Sequence, residues 1–254
     1  MSSLPLVSFI MPVYNRANVI ERALDGIIKE RAENYPNLEI VVIDGGSKDG
    51  TVEILNRYGE QIDYWVTEKD SGAAEAFNKG VEAAKGEIIR YVASDDGIVN
   101  GFTRLMVEHM VQNPAVAVAG ALANSFNVGP NGDLQIDHTK PQYSAGILDF
   151  AQAVLWTAGD RFSLIESWFI RRGTFDKIGY LDLRYRICPD WDFALRVVKA
   201  GLKFEVLPYR IVDKCFYSDG SNLVADAVKM ALEGRSVVWC HAGFTLSGWI
   251  KLYN

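Results

Sequence analysis

Leu38-Glu39-Ile40-Val41-Val42-Ile43-Asp44-Gly45-Gly46-Ser47 sets the fold class of this chain. A β-branched apolar run of strand length stops at a carboxylate and two glycines, which read as the end of a buried strand and a tight turn. Val52, Ile54, Leu55 and Tyr58 then recur as the apolar side of a helix, with Ser47 or Asp49 available as its N-cap.

Outward from this stretch the same unit repeats in both directions. Upstream, Val7-Ser8-Phe9-Ile10-Met11 reads as a strand stopped by Pro12. Val19, Ile20, Ala23, Leu24, Ile27 and Ile28 follow at helical spacing. Downstream, residues 62–66 suit a strand, 73–84 a helix and 88–92 another strand. This alternation predicts an α/β, Rossmann-like, mostly parallel sheet flanked by helices. Ligands of such sheets gather beyond the carboxyl ends of the strands. Three of those ends carry polar chemistry: Pro12-Val13-Tyr14-Asn15, Asp44-Gly45-Gly46-Ser47 and Ser94-Asp95-Asp96.

Past Gly101 the pattern is less regular. Residues 115–120 read as a strand, 127–133 as a turn, 167–170 as a segment able to pair in the sheet, 192–200 as a helix, and 203–207 as a short strand before Pro208. Residues 225–254 form an apolar, helical C-terminal extension, broken near Gly243 or Gly248 and rich in Val237, Val238, Trp239, Phe244, Leu246, Trp249 and Ile250.

Composition narrows the partners. With 49% apolar and 23% charged residues, the 254-residue chain has the profile of an ordinary globular domain. A net charge of −6 argues against nucleic acid as partner. An acidic protein that handles an anionic nucleotide needs a local cation. The three cysteines, Cys188, Cys215 and Cys240, form no CxxC pair and suit a reducing compartment. Met1 to Pro5 lacks a signal-peptide pattern, and no apolar run has the length of a membrane span. The expected location is the cytoplasm, either free or at the inner face of the membrane.

At the strand ends, Asp95 and Asp96 are oxygen ligands suited to a hard divalent cation, or else a solvated turn that caps a helix. Asp44 either accepts hydrogen bonds from a nucleobase or ribose, or closes an Asx-turn. Tyr14 either stacks on a base or shields the sheet edge. Asn78 and Lys79, on the helix opened by Asp70-Ser71-Gly72, either reach a phosphate or ribose or stay solvated.

Pro12-Val13-Tyr14-Asn15-Arg16, Asp44-Gly45-Gly46-Ser47-Lys48-Asp49-Gly50-Thr51, Asp70-Ser71-Gly72, Asn78-Lys79-Gly80, Gly86-Glu87 and Ser94-Asp95-Asp96 resemble, in order and spacing, the motifs of the family 2 (GT-A) glycosyltransferases. The chain looks most like bacterial members that build O-antigen, capsule or exopolysaccharide. The resemblance implies a GT-A domain over 1–224, with a nucleotide-binding half (1–100) and an acceptor-binding half (101–224), followed by the 225–254 extension. It implies a nucleotide-sugar donor, a UDP-sugar in most such proteins, bound by Pro12, Tyr14, Asp44, Asp70, Lys79, Ser94, Asp95 and Asp96. Asp95 and Asp96 would stand for the family's DxD element and its Mn²⁺ or Mg²⁺; Ala93 replaces the first acid of that element, which leaves either carboxylate open as the direct ligand, Asp95 being favoured with Asp96 supporting.

Cys188-Pro189-Asp190-Trp191-Asp192 resembles the family's Glu-Asp motif at a helix start, with Pro189 in place of the first acid. Asp190 inherits the general-base role by position, with Asp192 as rival. At a helix N-terminus it is expected to be stabilised as the anion. The implied chemistry is an inverting transfer to an acceptor hydroxyl, on a saccharide or a lipid-linked saccharide. Ile165-Glu166 stands where relatives often carry His-Gln. The extension is expected to serve as packing, as a homodimer contact or as a peripheral membrane contact. Two other readings compete. A sugar nucleotidyltransferase would want a Gly-rich basic loop after the first strand, which is absent. A catalytically inactive nucleotide-sugar-binding protein is compatible with the substitutions at Ala93, Ile165 and Pro189.

Overall fold

Strand β1 (Val7–Val13) runs parallel to β2 (Leu38–Asp44), and every residue of both is buried. That is why the deciding stretch is apolar at nearly every position instead of alternating. The computed structural model describes residues 4–128, 133–136, 145–149, 153, 165–217 and 227–242. β3 (Tyr64–Thr67) extends the parallel array beyond β2, and β4 (Ile88–Tyr91) extends it beyond β1. Helices α1 (Ile20–Glu33), α2 (Thr51–Arg57) and α3 (Ala73–Ala83) follow β1, β2 and β3 respectively, as the repeating unit predicts.

β1 continues through Pro12, which lies opposite Ile43. β4 pairs only with Val7 to Ile10, so the strand has a neighbour on one side alone where the proline sits and tolerates its missing N–H. The turn after β2 also differs from expectation. Gly50, at φ 101°, takes the cap position of α2, while Asp49 Oδ1 accepts the Thr51 N–H at 3.1 Å.

The second half builds on the same sheet. β5 (Gly97–Ile98), α4 (Phe102–Gln112), β6 (Val116–Val128), β7 (Leu134–Ile136) and β8 (Gly146–Leu148) precede β9 (Phe169–Arg171). Helices α5 (Arg172–Ile178) and α6 (Pro189–Lys199), strand β10 (Lys203–Tyr217) and helix α7 (Ala227–Ala242) complete the described residues. The strand order is β3-β2-β1-β4-β9-β6-β10-β5, with β7 beside β6 and β8 beside β10. β9 is antiparallel to both β4 and β6, while β6 and β10 are parallel to each other. β10 does not stop at Pro208: register shifts between Val206 and Arg210 carry the chain past it, a bulge that removes the need for the proline's missing donor.

Alternate side chains divide the core between the two faces of the sheet. Ile10, Val41, Ile43, Phe77, Trp168, Phe193 and Val237 pack on one face, under α3, α6 and α7. Phe9, Met11, Ile40, Val42, Leu24 and Met106 pack on the other, under α1 and α4. Gly80 on α3 lies so close to β1 that an added Cβ would stand 2.3 Å from Ile10 Cγ2. Arg90 on β4 is buried between the rings of Phe9 (4.8 Å) and Phe169 (5.1 Å) and donates to the Ile211 carbonyl at 3.3 Å, tying β4, β9 and β10 together below the site. Among the described residues no helix is long and apolar enough to cross a membrane.

Candidate active site

The loops after β1 and β2 are stitched into one rim. Asn15, in the left-handed region at φ 50°, donates its N–H to Ser47 Oγ at 2.7 Å and accepts the Lys48 N–H at 3.0 Å. Asp44 is fully buried beneath them. It accepts the N–H groups of Gly46 (3.0 Å) and Ser47 (2.9 Å) and the hydroxyls of Ser47 and Thr67. Its oxygens are therefore engaged by its own loop and by β3, as in an Asx-turn, and the carboxylate shapes the rim from below. Asp70 lies against that turn: an added Cβ on Gly45 would stand 2.8 Å from Asp70 Oδ2. Burial, with the nearby charges of Glu75 and Asp44, raises the Asp70 pKa, against the Gly72 N–H and Lys79, which lower it. Lys79 Nζ is held by Glu68 (2.8 Å) and Glu75 (3.2 Å). Tyr14 projects from the rim, 57% exposed, whereas Pro12 stays inside β1.

The loop after β4 lies beside this rim. Ser94 is buried, Arg22 donates to the Asp95 carbonyl at 2.6 Å, and Arg16 Nε stands 3.8 Å from Asp95 Oδ2. Asp96, only 2% exposed, is engaged at both oxygens: Oδ2 by Lys214 Nζ at 2.9 Å and Oδ1 by the Cys215 N–H at 3.1 Å. Lys214 reaches back from β10 and also pairs with Glu166 Oε1 at 2.8 Å. Burial works against the lysine's charge, but Asp96, Glu166 and Asp95 outweigh it and hold its pKa well above the ordinary value. Two acids thus share one ammonium. Burial raises the Asp96 pKa, against the pull of Lys214, and Glu166 and Asp95 add to the rise.

Asp190 occupies the second position of α6, after Pro189, whose missing N–H costs nothing at a helix start. Burial and then the charge of Glu166 push it up to about 7, while the N–H groups of Trp191 and Asp190 and the charge of Lys214 pull it back. Desolvation and a neighbouring acid thus act against the anion that the helix end was expected to favour. Asp192, the rival, is occupied: it pairs with Arg196 Nε and His241 Nε2, each at 2.7 Å. Asn78 does not face a ligand position either. It exchanges two hydrogen bonds with the backbone of Leu181, at 2.9 and 3.0 Å, and so ties α3 to the loop that leads into α6.

The Asp95 carboxylate, its side chain 15% exposed and 3.8 Å from Arg16 Nε, is an oxygen donor of the kind a hard divalent cation takes. Asp96 does not fit as a direct ligand, since both its oxygens are engaged. Among the described residues no three His, Cys, Asp or Glu side chains cluster as a metal site. Motif reading missed Lys214 as a participant and saw Glu166 only as a departure from the family. Lys214 shares its strand with Lys203, Glu205, Arg210 and Asp213, so the local sequence carried no signal that set it apart.

Solved structures share this architecture. S. aureus TarS 1–349 in complex with UDP superposes with a TM-score of 0.65 at 16% identity, over 93% of this chain and 65% of that one. The complex of TarS 1–349 with UDP-GlcNAc gives 0.63 at 18% identity, over 83% and 58%. Against the longer TarS chain this protein spans 37% of the length. The fold is thus a GT-A-like α/β domain with a mostly parallel sheet flanked by helices.

The family model for Glycosyl transferase family 2 matches residues 8–179, and the chain belongs to that family: it is a glycosyltransferase. A PGL/p-HBAD biosynthesis glycosyltransferase of Mycobacterium bovis (strain BCG / Pasteur 1173P2) is 29% identical over 232 residues, covering 84% of this chain and 82% of the relative. An uncharacterized glycosyltransferase of Haemophilus influenzae is 35% identical over 124 residues, 48% of each chain. Asp190, Lys214 and α7 lie beyond the matched stretch.

Proposed function

We propose that this glycosyltransferase moves a sugar from a UDP-sugar to an acceptor hydroxyl by a single inverting displacement. One observation carries the reading: the Asp190 carboxyl at the start of α6 feels the charges of Glu166 and Lys214, the ion pair that also holds Asp96 beside Asp95. A base poised near neutrality and a cation-binding carboxylate are the two groups this displacement needs. The TarS complexes with UDP and UDP-GlcNAc support a uridine diphosphate donor.

The rim formed by Tyr14, the Asp44 turn and Asp70 would receive the nucleoside, with Pro12 beneath it. Ser94 and Lys79 would flank the ribose and diphosphate. Asp95 would hold a Mn²⁺ or Mg²⁺, which when bound supplies Lewis-acid neutralisation of the leaving diphosphate. Asp96 fixes the Asp95 loop through Lys214 and the Cys215 N–H. Asp190 accepts the proton of the attacking hydroxyl, a contribution of ~10²–10⁴-fold in rate.

The acceptor we infer is a saccharide or lipid-linked saccharide of bacterial surface polysaccharide synthesis, as the family resemblance suggests. Leu232 and Trp239, 61% and 64% exposed on α7, favour peripheral contact with a membrane that presents such a lipid. Screening nucleotide sugars for Mn²⁺-dependent release of nucleoside diphosphate tests the donor assignment. Release from UDP-sugars is expected, and turnover only with another base would overturn it. Liposome flotation tests the membrane contact, which falls if Leu232→Ser/Trp239→Ser floats like the parent.

A further inference from the structure

Helix α7 grips the start of α6 at three places, and we infer that Glu233, Gly234 and His241 are positioning residues for the reaction, setting where the Asp190 carboxylate stands. The inference rests on the proposed role of Asp190 as base. Glu233 Oε1 accepts the N–H groups of Ile187 (2.6 Å) and Cys188 (2.7 Å), the two backbone donors directly ahead of Pro189. Cys188, the cap residue of α6, makes no side-chain cap, so the acceptor comes from the distant helix instead. Gly234 lies flat against Trp191: a Cβ added there would stand 2.4 Å from Trp191 Cζ3 and 3.0 Å from Cε3. At the far end of α7, His241 Nε2 meets Asp192 Oδ1 at 2.7 Å, and Asp192 Oδ2 in turn meets Arg196 Nε at 2.7 Å.

Residues 187, 188, 191 and 192 are therefore all anchored to α7, on both sides of Asp190, while the charges that act on Asp190 come from Glu166 and Lys214 on the sheet side. Val237 and Val238 bury the same helix in the core shared with Phe193 and Leu195, so the grip is rigid. A methyl on Gly234 must open a contact of 2.4 Å to an ordinary one, a shift of roughly 1 Å. A misplacement of that size costs on the order of 10²-fold when it falls on a catalytic group.

The test uses the full chain, with kcat and donor KM from UDP release and UDP affinity from calorimetry. Gly234→Ala is expected to lower kcat by ~10–100-fold while donor KM and UDP affinity stay within about twofold. Adding Trp191→Leu, which removes the ring, should recover most of the loss. Glu233→Ala and His241→Ala should each lower kcat by about tenfold, and Glu233→Gln, which keeps an acceptor oxygen, should stay near the parent. Folded Gly234→Ala, Glu233→Ala and His241→Ala proteins with parental kcat would overturn the inference, provided Asp190→Asn is inactive. Parental kcat in Asp190→Asn would instead overturn the base assignment. Should Gly234→Ala not fold, the contrast between Glu233→Ala and Glu233→Gln decides.

Discussion

At the scale of single residues, the proposed reaction turns on the Asp190 carboxyl. Asp190→Asn should lower kcat by ~10²–10⁴-fold and leave UDP binding intact, which also separates an enzyme from an inactive binder. Because burial and Glu166 raise Asp190 to about 7, the base is protonated below that pH. The acid limb of kcat should therefore rise about tenfold per pH unit up to about 7 and then level off. Glu166→Gln removes the charge that raises Asp190, so this limb should move to lower pH in a steady-state profile; an unmoved limb would remove Glu166 from the account. Asp95, Asp96 and Asp190 could be singled out in the sequence because each sits in a short local pattern. The bonds of Lys214 were not, because its two acids lie 118 and 48 residues away and no spacing encodes them. The burial of Asp44 was also hidden, since an Asp before two glycines reads equally as a ligand and as a turn.

At the scale of elements, close approaches of backbone to backbone dominate. Gly86, just ahead of β4, donates to Ser8 Oγ at 2.8 Å, and an added Cβ would stand 2.6 Å from Ser8 N and 2.9 Å from the Leu6 carbonyl. Neither backbone atom can swing aside, so Gly86→Ala should lose ~1–3 kcal/mol, the usual range for overpacking. The expected fall in melting temperature is roughly 2–4 °C per kcal/mol, measured by calorimetry. Gly80→Ala sets two effects in opposition: about 1 kcal/mol gained in helix propensity against a clash with Ile10 Cγ2. A contact of 2.3 Å to a buried side chain in a packed core outweighs that gain, and a net loss is expected. The strands and helices of the first ninety or so residues were readable because the strands are mostly apolar runs and the helices keep their period. β10 was cut short at Pro208, and β6, which runs to Val128, was cut short at Gly120, because a bulge and a long, half-exposed strand have no local signature.

At the scale of the whole molecule, the net charge of −6 opposes a diphosphate ligand. Around Asp95, Arg16 and Arg22 are drawn to the loop and Lys214 is shared by two acids, and in the proposed reaction a divalent cation would add to this positive field. UDP affinity measured by calorimetry should accordingly fall by at least about tenfold when EDTA replaces Mn²⁺. Equal affinity in the two buffers would remove the metal from the donor site. The parallel order of the sheet was legible from alternation alone. The antiparallel insertion of β9 between β4 and β6 was not, because a three-residue strand leaves its direction to long-range pairing.

The separation of 118 positions between Asp96 and Lys214 carries a consequence for how the molecule comes into being. A ribosome delivers β1 to β4 and their helices first, and these already bury one another as neighbours in a parallel array. Glu166, Asp190, Lys214 and finally Glu233 emerge later, in that sequence. A nascent chain thus gains its parallel half early in synthesis, while the Lys214 cluster closes only with β10 and the start of α6 is held only when the last helix docks.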